Sequence, residues 1–183
     1  MSTNTIALKI KLWPNKVLRK KSLPISLVGE IEKNILQEMV HLMYTNNGVG
    51  LSGPQVGINK QIIVVDIGQG PLMLANPKII ARRGASVFEE GCLSLPGICI
   101  KIKRPERIKI QAINQDNQQI EIDADGLLSR ALQHEIDHLY AKLIIDYASF
   151  GQKFKIRKQL QSLKKINNEG LSQQKTKSCK LYL

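Results

Sequence analysis

Cysteine is scarce in this chain. Its 183 residues hold three, at positions 92, 99 and 179. That odd count offers no disulfide framework of the kind that staples small secreted domains. Cys99 and Cys179 therefore read as free thiols in a reducing compartment. Long apolar runs are also missing. No stretch reaches the roughly 20 residues that a membrane-spanning helix needs, and no short apolar core precedes a small-residue cleavage site. No internal repeat is visible, so a solenoid or propeller is excluded. Acid is absent from the first 29 residues, which carry six Lys or Arg.

Histidine is scarce as well, with three residues. Two of them lie four apart, in His134-Glu135-Ile136-Asp137-His138. Residues i and i+4 share one helical face, so both imidazoles can point at one ion. Glu135 then stands beside the ion, where it can move a proton between water and a leaving group. Such a motif also arises on exposed helices as three polar residues in water. The flanks argue otherwise: Asp125 is a candidate N-cap, and Leu139-Tyr140-Ala141-Lys142-Leu143-Ile144-Ile145 is strongly apolar. Imidazoles and a carboxylate in a buried helix need partners, and a metal satisfies both imidazoles together.

No histidine follows His138 to complete the set. Downstream, Asp146 is too close in sequence to fold back and Glu169 sits in a polar tail. The best third ligand is upstream, in Glu89-Glu90-Gly91-Cys92-Leu93-Ser94-Leu95-Pro96-Gly97. A free cysteine is more often a small buried hydrophobe. With the helix motif in place, a Cys92 thiolate and two imidazoles make a three-ligand set with an open fourth position.

Three blocks now stand in order: Gly48-Val49-Gly50-Leu51-Ser52-Gly53-Pro54-Gln55, Glu90-Gly91-Cys92-Leu93-Ser94, and Gln133-His134-Glu135-Ile136-Asp137-His138-Leu139. On these blocks the chain resembles the peptide deformylase family from about Lys11 to about Ile166. The resemblance implies a metal-dependent hydrolase that removes the formyl group from the N-terminal formyl-methionine of newly made proteins. It implies metal ligands Cys92, His134 and His138, with Glu135 as the general acid–base. The oxyanion donors would be the Gln55 side chain and the Leu93 backbone N–H. Val49, Gly50, Leu51, Leu127, Arg130 and Ala131 would line the substrate site. The cofactor would be one divalent ion per chain, natively Fe2+, with Zn2+, Ni2+ or Co2+ able to replace it. Glu90 and Arg104 look like a supporting ion pair. Arg130 lies one turn before His134, its stem set to line the methionine pocket and its head to reach solvent or an acid. Ala141 stands where the family often has glycine.

The resemblance also bears on the basic start. Leu12–Arg19 already matches the family, which leaves about ten residues for any leader. The expectation is a mature protein of the bacterial cytoplasm or of an organelle of bacterial descent. The expected fold is α+β, with mostly antiparallel sheets around a central metal helix and further helices towards the N- and C-terminal ends. Apolar spacing predicts an amphipathic helix over 27–45 and another over 150–166. Strands are predicted at 61–67, 73–76, 78–82, 107–113 and 119–122. Residues 1–168 form one catalytic domain and 169–183 a basic, flexible tail.

Of the net charge of +12, residues 150–183 supply +8, from nine Lys or Arg and one Glu. Such a run is commonly a solvated helix face. It also suits docking on ribosomal RNA, where formyl-methionyl chains emerge. Three competing readings stay open: a peptidase cutting internal bonds, a deformylase-like hydrolase of altered preference, and a non-catalytic ribosome-associated metal module.

Overall fold

A computed structural model describes residues 8–169, Cys179 and Leu183. Helix α1 spans Glu30–Thr45 and leads into the short strand β1, Gly50–Ser52. Strands β2 (Ile62–Val65), β3 (Leu72–Arg83), β4 (Ser86–Glu90), β5 (Ile100–Arg104), β6 (Arg107–Asn114) and β7 (Gln119–Asp125) follow. Helix α2 is Gly126–Leu139 and helix α3 is Phe150–Glu169. One sheet has the order β1-β2-β3-β6-β7 and the other is the β4-β5 pair. All pairings within both sheets are antiparallel. The α+β architecture around a central α2 agrees with the sequence expectation.

Strand β2 shows why α2 is central. All four of its residues are buried. Side chains alternate between faces along a strand. Ile63 and Val65 join Ile108, Ile110 and Ala112 of β6 against Ala131, Leu132, Ile136 and Leu139 of α2. Ile62 and Val64 face the other way, against Leu36, Met39 and Met43 of α1. A third cluster packs Cys92, Leu95, Ile100 and Ile102 against Leu143, Ile144, Ile156 and Leu163.

Several boundaries move for identifiable reasons. Helix α1 starts at Glu30 rather than at 27, because Asn117 holds both backbone polar groups of Val28 outside the helix. Asn117 Oδ1 accepts from Val28 N at 2.6 Å and Asn117 Nδ2 donates to Val28 O at 3.0 Å. The two strands expected at 73–76 and 78–82 are one strand, β3, with a register shift between Ala75 and Lys78. Pro77 sits at that irregularity, the place where a strand tolerates proline. Strands β1, β4 and β5 are not among the predicted elements, although Ile100-Lys101-Ile102-Lys103 carries the alternation of a half-buried strand. Helix α3 continues past 166 to Glu169.

The cysteine reading is corrected: a disulfide joins Cys99 to Cys179 across 80 residues of sequence. That distance in sequence hides the pairing from any spacing argument. Most of the tail expected over 169–183 lies outside the described residues, which there include Glu169, Cys179 and Leu183. Cys179 is buried, and Leu183 is fully buried in the α2–sheet core, with its N–H donating to Gly91 O at 3.3 Å.

Helix α2 ends in a Schellman turn. Lys142 N donates to Asp137 O at 2.9 Å and Ala141 N to His138 O at 3.1 Å. This places Ala141 at φ 61°, in the left-handed region that favours glycine. Ala141→Gly should therefore stabilise the protein by about 1 kcal/mol. Urea denaturation of the two proteins measures it directly.

Candidate metal centre

Helix α2 is unusual in burying polar residues as well as apolar ones. Ser129, Arg130, Gln133, His134, Glu135 and His138 are all at most 5% exposed. Each buried polar group needs a partner or costs the fold free energy. Gln133 Nε2 finds one in Pro105 O at 2.9 Å, and Ser129 Oγ faces the same carbonyl.

The two histidines face Cys92, two residues beyond the end of β4. Cys92 Sγ lies 3.3 Å from His138 Nε2, which lies 3.2 Å from His134 Nε2. These three buried donor atoms fall within 4.8 Å of one another. Tetrahedral bonds of about 2.1 Å to nitrogen and 2.3 Å to sulfur would set neighbouring donors roughly 3.4–3.6 Å apart. The arrangement fits a shared divalent ion with little movement. Electrostatics agrees. Burial opposes charge on His134, yet Cys92 and then Glu90 outweigh it and raise its pKa to about 10. Burial, and then charge on His134, push His138 far down.

Glu90, at the end of β4, anchors this cluster. Its Oε1 accepts from Arg104 Nε at 2.7 Å and Arg130 Nη1 at 2.5 Å. Its Oε2 accepts from Arg104 Nη2 at 2.9 Å and lies 3.2 Å from His134 Nδ1. Arg104 also donates to Asp137 at 2.7 Å, and Tyr147 donates to the same carboxylate at 2.6 Å. Burial alone would raise the Glu90 pKa, but His134 and Arg104 prevail and bring it down to about 2. The expected Glu90–Arg104 pair is thus part of a larger network. Asp137, Tyr147 and Ser86 are the members that sequence reasoning missed. Only Asp137, inside the helix motif, carried any signal.

Glu135 contrasts with Glu90. It has no exposed surface, and among the described residues no donor is committed to its carboxylate: the nearby Ser52 hydroxyl gives its one proton to Gln55 Oε1. Burial is the main cause that lifts its pKa to about 7, against the pull of His134. Its neighbour is Gly50, where a Cβ would stand 2.5 Å from Glu135 Oε1. Only glycine lets β1 pass so close. Gln55 follows in a 3-10 turn, Gly53–Val56, and is fully buried. Its Oε1 accepts from Ser52 N at 2.8 Å and Ser52 Oγ at 2.6 Å. Its Nε2 is thereby turned towards Cys92 Sγ, 3.5 Å away. Ser52 is the orienting residue that the sequence did not reveal. Leu93, the residue after Cys92, packs its side chain against Gly48.

The expected substrate-lining residues divide. Val49 and Ala131 belong to the apolar cluster under α2, while Gly50 and Leu51 form β1. Leu127 is 39% exposed and lines a pocket of about 350 Å³ with Val87, Phe88 and Arg130. A larger depression, about 550 Å³, holds Arg82, Arg83 and Arg107 and none of the donors. Of the two destinations expected for the Arg130 head, solvent or an acid, the guanidinium takes the acid: it is turned inward to Glu90 and Ser86.

Removing the Glu90 charge should be costly, because it leaves two arginines buried without their shared partner. Glu90→Gln is expected to lose about 3–5 kcal/mol of stability, read from chemical denaturation at neutral pH.

Comparison with known proteins gives the family and the fold. Residues 7–154 match the family model described as polypeptide deformylase. A peptide deformylase of Thermodesulfovibrio yellowstonii is 45% identical over 163 residues, covering 82% of this chain and 98% of that protein. One from Desulfitobacterium hafniense is 45% identical over 134 residues, covering 73% and 89%. Among solved structures, a peptide deformylase from Legionella pneumophila superposes with a TM-score of 0.82 at 34% identity, over 88% of this chain and 97% of that one.

Proposed function

The chain belongs to the polypeptide deformylase family, and from that premise we propose how its residues act. The reaction is hydrolysis of the N-formyl amide on newly made proteins. Cys92, His134 and His138 hold one divalent ion. Ferrous iron is the native ion in this reading, and zinc, nickel or cobalt suit the same donors. A bound ion acidifies water and polarises the formyl carbonyl.

The observation that carries the reading is Glu135. A buried carboxylate with no donor committed to it among the described residues, lifted by burial to about 7 and set one residue from a ligand, is poised to move protons. It takes a proton from the attacking water and delivers it to the departing amine nitrogen. Gln55 Nε2, held by Ser52, and the Leu93 N–H donate to the oxygen on which charge develops. Strand β1 pairs only with β2 among the described residues, so its other edge is free to bind an extended peptide. We assign Val49, Gly50 and Leu51 to that edge, with Leu127 and Ala131 beside the methionine side chain. Arg130 is withdrawn from direct substrate contact.

The basic face of α3 gives the enzyme a place to act. Lys153, Lys155, Arg157, Lys158, Lys164 and Lys165 are all exposed. In this reading they draw the enzyme to ribosomal RNA at the site where formyl-methionyl chains emerge. The setting is the bacterial cytoplasm or an organelle of bacterial descent. Among the described residues, no helix is long and apolar enough to cross a membrane.

Three substitutions test the chemistry on formyl-Met peptides. Cys92→Ala should lose most bound metal and nearly all activity. Glu135→Gln should keep the metal and lose roughly 10²–10⁴ in rate. Gln55→Ala should keep the metal and lose roughly 10²–10³ in turnover. Metal analysis beside the assay distinguishes the three, and wild-type turnover in Glu135→Gln would refute the mechanism.

Reversing Lys155, Lys158 and Lys165 to Glu should weaken ribosome association most at low salt and leave peptide turnover unchanged. Co-sedimentation across a salt series measures the first part, and equal binding by both proteins would remove α3 from the contact.

A further inference from the structure

We propose that Arg130 is a positioning residue for the metal centre, fixing the His134 imidazole through Glu90. The inference rests on the reading above, in which Cys92, His134 and His138 hold the ion.

The geometry is that of a filled valence. A carboxylate offers about four lone-pair sites. On Glu90, Oε1 receives Arg104 Nε and Arg130 Nη1, while Oε2 receives Arg104 Nη2 and faces His134 Nδ1. With Arg130 in place, the one direction left for a further donor is the one His134 occupies. That fixes both the tilt of the imidazole and its tautomer. Nδ1 carries the proton towards Glu90, and the Nε2 lone pair points at Cys92 and His138. His138 has no such support among the described residues, where its Nδ1 makes no hydrogen bond. The orientation of the pair therefore depends on the His134 side.

Arg130 is itself held rigidly. Nη1 also donates to Ile102 O at 3.3 Å, and Nη2 donates to Ser86 O at 3.1 Å and Ser86 Oγ at 2.9 Å. The guanidinium thus spans β4 and β5 and ties both strands to α2. Four of its five N–H groups are engaged by these contacts. Too little donor capacity remains to read an acidic residue on a substrate. Charge closes too: Arg104 and Arg130 balance Glu90 and Asp137. Removing Arg130 strands one negative charge beside the imidazole and opens an Oε1 site, which lets the carboxylate rotate.

The test uses the full chain loaded with Co2+, read by chelator competition, by the visible spectrum and by turnover. Arg130→Met should weaken Co2+ affinity by about 10–100-fold, alter the cobalt bands, and lower kcat with KM for formyl-Met peptides unchanged. Arg130→Lys should recover part of the affinity. Adding Arg130→Met to Glu90→Gln should weaken binding no further than Glu90→Gln alone, because both act through one carboxylate. If Arg130→Met does not fold, Ser86→Ala loosens the same guanidinium and should show a smaller shift in the same direction. Wild-type affinity and spectrum in Arg130→Met, with a changed KM between peptides bearing acidic and basic second residues, would overturn the proposal and return Arg130 to the substrate site. A wild-type protein lacking a thiolate-to-cobalt band would instead overturn the underlying metal reading, and this inference with it.

Discussion

One buried carboxylate organises this protein. Glu90 has no exposed surface, yet it carries full charge because two arginines and an imidazole surround it. A buried ion group stabilises a fold only when every lone pair is met. Here the partners come from two other elements, Arg104 from β5 and both Arg130 and His134 from α2, with Glu90 itself closing β4. The two-stranded sheet is thereby locked to the central helix. Cys92, two residues after Glu90, is carried into position by the same lock. The network that holds the fold together and the network that sets the donors are one structure.

The other side of α2 does the opposite kind of work. Towards the five-stranded sheet it presents Ala131, Leu132, Ile136 and Leu139, which seal the core by area burial. Between the two sides stands Glu135, unpartnered beneath Gly50. A carboxylate satisfied like Glu90 would stay ionised and inert as a base at neutral pH. One left unpartnered is a liability for folding and an asset for proton transfer. Two glutamates in one site are thus driven apart, to about 2 where charged partners overcome burial and to about 7 where burial prevails.

Much of the site was legible in the sequence. Helical spacing places His134, Glu135 and His138 on one element, and the fold brings Cys92 to them as the three-block resemblance implied. Gln55 is legible as a shaped-loop residue, but Ser52, which orients it, is not, because a small residue announces no partner. For Arg130 the sequence left solvent and an acidic partner both open for a physical reason: periodicity says which face a residue occupies, not which way a long side chain turns once it is there. The Cys99–Cys179 bond and the burial of Leu183 were invisible because they depend on contacts across 80 residues or more. The strands of the five-stranded sheet other than β1 were found, whereas β1, three residues long, the half-exposed β4 and the alternating β5 were not.

The central claim is that the chain's lone free cysteine among the described residues and two histidines share one ion. X-ray absorption on cobalt-loaded protein tests it most directly. The account predicts a first coordination shell with one sulfur, together with the outer-shell scattering of two imidazoles. A shell of nitrogen and oxygen alone, or one holding two sulfurs, would contradict it.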